Sequence, residues 1–274
     1  MGPMSVSEPL FTFAFQPIVD VNACTVFSYE ALIRGRGGES ADSILGQVPA
    51  GRMLLFDQQA RVEAIGLAAR LEIGCHLNLN FIPQSLQSPA SILTTLEAAD
   101  LARLPYNRLI LEITEGAVID DPTQFAEVIN KYRGLGIIVA IDDFGAGYSG
   151  LNLLADFQPD QIKLDMKLVR GIEHRGPRQA IVRAISQVCN DLGIDVIAEG
   201  VETLEEYGWL VNEGFRLFQG YLFAKPAFES FPEVNYPVGL LYDAFNEAAP
   251  ARLAAEPDFT LQIGSEILPA ASVH

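Results

Sequence analysis

The chain has 274 residues, and 49% of them are hydrophobic, which is enough for one large core or two small domains. Lys and Arg number 18 against 35 Asp and Glu, so the formal net charge is -17. Such a charge argues against binding to duplex nucleic acid or to an anionic membrane, because both depend on basic residues that neutralise phosphate.

The termini and the cysteines favour a cytoplasmic protein. No stretch reaches the ~20 apolar residues of a membrane span, and the N-terminus lacks the charged-then-apolar pattern of a secretory signal. The three cysteines are scattered and odd in number, which suits a reducing compartment better than a disulfide framework. We treat residues 1–8 as an N-terminal tail.

Short apolar or alternating runs recur along the chain and predict eight strands. They lie at residues 11–19, 25–33, 76–82, 109–114, 136–141, 161–164, 195–198 and 215–223. Helical periodicity predicts helices between most of them, at residues 56–71, 83–99, 177–192 and 203–213, with a further one opening at Asp121-Pro122. Thr203 is the expected N-cap of the last, and Gly193 and Gly214 are expected to end helices.

Eight strands interleaved with helices favour a closed α/β barrel. The first two strands are joined by only a few residues, whereas a parallel pair needs a dozen or more, so we expect them to pair antiparallel. The prediction is a modified TIM (β/α)8 barrel over residues 9–232 whose first strand runs against the rest. An open doubly wound sheet is the alternative. Residues 233–274 are expected to form one helix, at 238–249, and a mobile tail.

The strand predicted at residues 136–141 is continuously apolar and is followed at once by Asp142 and Asp143. Two adjacent carboxylates at the exit of a buried strand are costly unless cations or donors neutralise them. A divalent metal ion is therefore the leading explanation for this pair.

Polar groups also follow the other predicted strands. In a parallel barrel the C-terminal ends of the strands meet at one rim, where reactive groups collect. Oxygen ligands without His or Cys suit hard cations, so Mg²⁺ or Mn²⁺ is expected there. Taken singly, each acidic residue is more often a solvated loop residue. The residues at or near this rim are Gln16, Glu30, Arg34, Asn78, Asn80, Glu112, Glu115, Asp142, Asp143, Lys163, Asp165, Glu199, Glu202 and Gln219.

Six segments in order carry a family resemblance: YEALIRG, LEITE, DDFGAGYSGL, IKLD, AEGVE and QGYLFAKP. With them the chain resembles the EAL-domain family, over roughly residues 11–231. The resemblance implies a modified TIM barrel and hydrolysis of the bacterial second messenger cyclic di-GMP to linear 5′-pGpG.

The resemblance also implies a two-metal site of Mg²⁺ or Mn²⁺. Glu30, Asn80, Glu112 and Asp142 would hold one ion; Asn80 is preferred to Asn78 because it lies nearer the strand exit. Asp142 would bridge to a second ion, held by Asp143 and Glu199 directly or through water.

Further roles follow from the resemblance. Lys163 would stabilise the nucleophilic hydroxide or the developing charge, and Gln219 would hold the water. Glu115 would restrain the loop of residues 143–151, which lies near a dimer contact in the family; a purely structural role for the glycines of that loop is about equally favoured. The residues assigned to substrate binding are Gln16, Leu32, Arg34, Asn80, Asp165 and Glu202.

Two other functions compete with this prediction. A barrel that binds cyclic di-GMP or a protein partner without hydrolysis would be expected to lack a metal ligand, and none is missing here. A metal-dependent enzyme of the enolase type would need a base for carbon-acid chemistry, against which the ordered motifs argue. The expected partners are cyclic di-GMP and a second copy in a homodimer, with a sensor domain or a partner protein as a further candidate.

Overall fold

The computed structural model describes residues 9–82, 85, 88–115, 122–147 and 150–237. Contacts between Cα atoms divide the chain into two units, Met1–Tyr236 and Pro237–His274, and the fold described here belongs to the first. The N-terminal tail and the helix predicted at residues 238–249 lie outside the described residues. The domain boundaries proposed from the sequence therefore stay predictions.

The strands of the described residues form one sheet. They are β1 (Phe11–Asp20), β2 (Thr25–Gly35), β3 (His76–Asn80), β4 (Leu109–Thr114), β5 (Ile138–Phe144), β6 (Gln161–Leu164), β7 (Asp195–Ala198), β8 (Leu217–Phe218) and β9 (Ala227–Phe228). From β2 to β8 each strand pairs with the next, and β1 pairs with both β8 and β2, which closes the barrel. The short β9 adds to β1 and was not predicted from the sequence.

The first strand runs antiparallel to both of its barrel neighbours, β2 and β8, while the pairs from β2 to β8 are parallel. Only residues 21–24 join β1 to β2, too few for a helical crossover. The predicted modified barrel with a reversed first strand is confirmed.

Helices alternate with the strands. They are α1 (Ala41–Leu45), α2 (Met53–Arg70), α3 (Pro89–Ala102), α4 (Pro122–Gly134), α5 (Gly150–Phe157), α6 (Met166–Val169), α7 (Gly176–Leu192) and α8 (Leu204–Asn212), with 3-10 turns at Ala50–Arg52, Tyr106–Arg108 and Ile172–His174. Thr203 caps α8 as predicted and forms a reciprocal capping box with Glu206. Gly193, with φ of 72°, ends α7 as expected.

Some predicted bounds differ from the structure. The helix predicted at residues 83–99 begins at the second proline, Pro89, and residues 83–84 and 86–87 lie outside the described part. The eighth strand is two residues long rather than nine, because the chain turns at residues 221–223. The helices α1, α5 and α6 were not predicted; each is eight residues or shorter, so periodicity carries little signal.

Side-chain alternation along β3 shows how the fold builds its functional rim. Leu77 and Leu79 are buried in the core cluster together with residues of α2, α3 and β4, which covers the outside of the barrel. Asn78 and Asn80 point the opposite way, into the barrel, because successive strand residues face opposite sides. The same alternation places Glu30, Glu112 and Lys163 inside, as their mutual contacts show.

A bulge near the end of β5 interrupts this alternation. The register with β6 passes from Ile141 opposite Ile162 to Phe144 opposite Leu164, so Asp142 and Asp143 together face the single residue Lys163. Asp143 has φ of 55°, in the left-handed region that few non-glycine residues adopt. The extra residue allows neighbouring side chains to serve the same site.

Candidate active site

One lysine lies at the centre of the C-terminal rim. Lys163, on β6, is almost fully buried, and its Nζ lies 2.7 Å from Glu199, 2.9 Å from Glu112 and 3.1 Å from both Glu30 and Asp142. Glu112, Glu30 and Asp142 lie on β4, β2 and β5, and Glu199 directly follows β7; the parallel register brings the four carboxylates to one level. We call Lys163, the four carboxylates and Asp143 the acidic cluster.

Neutral side chains surround Glu30 within the rim. Its Oε2 accepts a hydrogen bond of 2.7 Å from Gln219, and its Oε1 accepts one of 3.3 Å from Asn80. Gln219 also lies 3.5 Å from the amide oxygen of Gln16. Asn78 lies deeper and donates to Glu112 at 2.7 Å. Both asparagines therefore contact the acidic cluster, and of the two only Asn80 is exposed.

The carboxylates form two groups that share one residue. One ligand atom each from Glu30, Glu112 and Asp142 lie within 4.8 Å of one another, and the same holds for Asp142, Asp143 and Glu199. Asp142 belongs to both groups because the bulge turns its neighbour Asp143 towards Glu199. The acidic cluster can thus hold metal through two carboxylate sets joined at Asp142.

Positive charge is scarce in this cluster, and the pKa values reflect the shortage. Burial raises the pKa of Glu199 to about 8, although Lys163 opposes the effect. Burial also raises the pKa of Glu112 well above its ordinary value of 4.5; Lys163 opposes this, and the charges of Glu30 and Asp142 add to it. One ammonium does not offset this many buried carboxylates.

Glu30 and Lys163 show the opposite balance. Burial would raise the pKa of Glu30, but Lys163 and hydrogen bonds from Gln219 and Asn80 hold it below its ordinary value. Burial would lower the pKa of Lys163, yet the carboxylates around it hold that pKa well above 10.5. The contacts between the two side chains thus favour the charged form of each.

Two buried oxygens of the cluster fit a metal ion. Among the described residues, Glu112 Oε2 is buried without a hydrogen-bond donor, and the buried Asp142 Oδ1 has only the ion pair with Lys163 at 3.1 Å. An unpaired buried carboxylate oxygen costs free energy unless a cation or proton neutralises it. The donor set, all oxygen, is that of a hard divalent cation.

The loop after β5 is held by Glu115. Its Oε2 accepts hydrogen bonds from the backbone N–H of Gly145 at 2.7 Å and of Gly147 at 3.3 Å. Gly145 has φ of 92°, which favours glycine, and a Cβ on Gly147 would lie 2.9 Å from Glu115 Oε1, so a larger residue there would displace that carboxylate. Glu115 therefore fixes the loop that leaves the bulge.

A cavity of about 560 Å³ opens beside the acidic cluster. Glu30, Asn80, Asp142 and Asp143 line one side of it, and apolar side chains of β2, α1 and α2, with Leu32 among them, line the other. Sequence reasoning missed two charged lining residues on α2, Asp57 and Arg61. The helical periodicity of this segment does not distinguish these two residues from exposed charged positions on the same helix.

Arg34 does not lie among the residues that line this cavity, and its guanidinium donates to the Ile33 carbonyl at 2.7 Å. Gln16 is buried at the rim and donates to the Ala224 carbonyl. Asp165 caps α6 through the Lys167 N–H, so it does not pair with Lys163. Glu202 is exposed and pairs with Arg170. The structure thus brings Leu32 and Asn80 to the cavity, and leaves Arg34, Asp165 and Glu202 in other contacts.

The arrangement agrees with one family. The model of the EAL domain matches residues 4–226. The chain belongs to the EAL-domain family. Within the described part of this EAL protein, no helix has both the length and the apolar character needed to cross a membrane.

Curated relatives differ in what they are named for. The chain is 37% identical over 227 residues to the blue light- and temperature-regulated antirepressor BluF of Escherichia coli K12, covering 82% of this chain and 56% of BluF. It is 35% identical over 182 residues to the cyclic di-GMP phosphodiesterase PdeR of the same organism, covering 65% of this chain and 27% of PdeR. The chain thus spans about half or less of the length of these relatives.

Solved structures share both fold and sequence. A standalone EAL protein from Vibrio cholerae O395, in a form bound to cyclic di-GMP, superposes with a TM-score of 0.81 at 44% identity, covering 85% of this chain and 99% of that one. BlrP1 of Klebsiella pneumoniae, in a complex with manganese and cyclic di-GMP, gives 0.79 at 42% identity, covering 85% of this chain and 60% of BlrP1.

Proposed function

We propose that this protein hydrolyses cyclic di-GMP to linear 5′-pGpG. The observation that carries the proposal is the pair of carboxylate groups joined at Asp142, because two adjacent metal positions suit in-line displacement at a phosphodiester. The family and the cyclic di-GMP in related structures supply the substrate class.

Glu30, Asn80, Glu112 and Asp142 would hold the first metal ion, and Asp142, Asp143 and Glu199 would hold the second, the last two directly or through water. Mg²⁺ or Mn²⁺ bound there would act as Lewis acids towards the phosphoryl oxygens and would lower the pKa of a bound water. The unpaired Oε2 of Glu112, buried among the described residues, supports the first position.

Lys163 keeps a positive charge inside the site and stabilises negative charge as water attacks phosphorus. Gln219, which donates to Glu30 and lies near Gln16, has its own Oε1 buried and unpaired among the described residues, so it can orient that water. The water oxygen forms the new bond to phosphorus, and the bond to the 3′ oxygen breaks. The product is linear 5′-pGpG.

Substrate binding is assigned to the cavity and its edge. Leu32 and Asn80 line the cavity, and Gln16 lies at the rim beside Gln219. Arg34 can contribute a bidentate phosphate contact after it releases the Ile33 carbonyl. Asp165 and Glu202 do not line the cavity. Asp165 caps α6 and Glu202 pairs with Arg170, so we assign both an indirect role at the rim.

Regulation is proposed to act through Glu115 and the loop after β5. Glu115 accepts hydrogen bonds from the glycine N–H groups and so holds the loop next to the bulge that carries Asp143. A homodimer contact on this loop would then influence the second metal position. A sensor domain or partner protein would act by the same route.

The deciding experiment is incubation of the purified protein with cyclic di-GMP and either Mg²⁺ or Mn²⁺, with products separated by liquid chromatography. We expect 5′-pGpG, and we expect Glu30→Ala to abolish it. Substitution of Glu173, which lies away from the acidic cluster, by Gln is the matched control and should leave turnover unchanged. The absence of linear product at micromolar protein with either metal would refute the proposal.

The similarity to BluF, which is named an antirepressor, favours a second candidate: a catalytically silent barrel that binds cyclic di-GMP or a protein partner without hydrolysis. In that case the protein would bind cyclic di-GMP, as measured by calorimetry, and leave it intact. The complete set of carboxylates in the acidic cluster favours hydrolysis.

A further inference from the structure

A buried arginine outside the acidic cluster ties three parts of the fold together. Arg61, on α2, is 2% exposed, and its guanidinium donates to Asp57 on the same helix. It also donates to Thr95 at 3.1 Å and to Ser91, both on α3. We call these four residues and Phe81 the Arg61 cluster.

Phe81 connects the Arg61 cluster to the rim. The guanidinium carbon of Arg61 lies 3.6 Å from the centre of the Phe81 ring, a cation–π contact shielded from water. Phe81 directly follows Asn80, and its backbone N–H donates to the Glu112 carbonyl at 2.8 Å. The position of Phe81 therefore governs where the chain leaves β3, and so where the Asn80 amide can reach.

The geometry of Arg61 distinguishes it from a group that binds substrate phosphate. Each of its three nitrogens donates to a side chain, and one face of the guanidinium is covered by Phe81. Asp57 balances its charge. Although both side chains line the cavity, binding of a phosphate would require these contacts to break.

We propose that Arg61 is a positioning residue, which holds Phe81 and thereby places Asn80 in the first metal position. The inference rests on the proposed function, since it assigns Asn80 a role in metal binding. Groups that orient metal ligands typically change metal affinity 10- to 100-fold when they are removed.

The first test measures Mn²⁺ affinity of the whole protein by calorimetry, at a temperature well below unfolding. Arg61→Met should weaken binding roughly tenfold or more. Arg183→Met is the matched control, because Arg183 also pairs with a carboxylate, Glu213, and lies over a ring, Trp209, but between α7 and α8. Equal affinities of Arg61→Met and wild type would overturn the inference. Arg61→Lys, which keeps the charge and loses the fork, serves if Arg61→Met does not fold, and should weaken binding in the same direction.

A double-mutant cycle separates positioning from general destabilisation. If Arg61 acts through Asn80, the loss of Mn²⁺ affinity in Arg61→Met with Asn80→Ala should be close to that of Asn80→Ala alone. Additive losses would show that Arg61 does not act through Asn80. Thermal unfolding of the same variants reports the separate cost to stability.

Phe81 offers the rescue experiment. Phe81→Tyr keeps an aromatic face for the guanidinium and should retain metal affinity, whereas Phe81→Leu stays apolar but loses the face and should resemble Arg61→Met. Equal affinity of both variants and wild type would also count against the proposal. If wild type itself binds no Mn²⁺ and forms no 5′-pGpG, the proposed function has failed; if it does both and the variants match it, only this inference has failed.

Discussion

The two ends of the barrel differ in how deeply their charged side chains are buried and in how well those charges are balanced. At the C-terminal rim a buried lysine faces four carboxylates, each no more than 15% exposed. At the other end Arg216, 40% exposed, bridges Asp20 and Asp195 at 2.8 and 2.7 Å. The second arrangement is an ordinary solvated ion-pair network, which contributes little to stability. The first leaves negative charge that the side chains of the acidic cluster do not neutralise, and this excess supports the proposed metal positions.

The largest expected effect comes from breaking the acidic cluster where its two groups meet. Asp142→Asn should reduce hydrolysis at least about 100-fold, because it removes a ligand from both metal positions. Asp143→Asn, the adjacent and nearly isosteric change, alters only the second position and should leave the first metal binding event measurable by calorimetry. Identical loss of both binding events in the two variants would contradict the sharing of Asp142.

Divalent metal should stabilise the fold through the acidic cluster. At a free Mg²⁺ or Mn²⁺ concentration 100 times the dissociation constant, the free energy of unfolding should rise by about 2.7 kcal/mol. Denaturant titration with and without chelator measures the difference. The gain should persist in Asp195→Asn and fall sharply in Asp142→Asn; a gain that survives in both would place the metal elsewhere.

The pH dependence of metal binding should expose the raised pKa of Glu199, about 8 in the metal-free protein because of burial. Below that pH the carboxyl group must lose a proton to bind metal, so apparent affinity should rise up to about tenfold per pH unit and level off above pH 8. Calorimetry at pH 7 in buffers of different ionisation enthalpy counts the released protons. The Glu199→Gln variant should release fewer protons when it binds metal.

The same raised pKa has a consequence for the metal-free fold. The folded chain binds protons more tightly than the unfolded chain, so stability contributed by Glu199 is lost as pH rises from about 4.5 towards 8. Chelated protein unfolded by urea at pH 6 and pH 8 tests this, and Glu199→Gln should flatten the difference.

The smallest effect is expected at the opposite end of the barrel. Asp195→Asn removes one exposed partner of Arg216, while Asp20 retains the other contact. The free energy of unfolding should fall by no more than about 1 kcal/mol, with hydrolysis unchanged. A large loss of activity would show that the two ends of the barrel are coupled.

Strand exits were predictable from sequence because apolar runs ending in polar residues are strong signals. Glu30, Glu112, Asp142, Lys163 and Glu199 all lie where the predicted strands deliver them. The reversed first strand followed from the length of its connection alone. These features depend on local composition and chain length, which a single sequence records.

Other features depend on contacts that local patterns do not contain. The bulge at Asp143 arises from register between β5 and β6, and the sequence pattern placed the end of β5 before Asp142. Asp165 lies two residues after Lys163, on the same face of the chain, yet its carboxylate caps the start of α6 and does not pair with Lys163. The local sequence gives no sign that Arg61 is buried, because its burial results from contact with α3.

The bulge also bears on how such a barrel tolerates insertions and deletions. In a regular strand, adjacent side chains diverge, and a chain one residue shorter at this point would turn one of the two aspartates out of the rim. It would keep Glu30, Glu112 and a single aspartate, but lose the second carboxylate group. A one-residue deletion within β5 would thus remove one of the two carboxylate groups, while nearly every motif in the sequence stays intact.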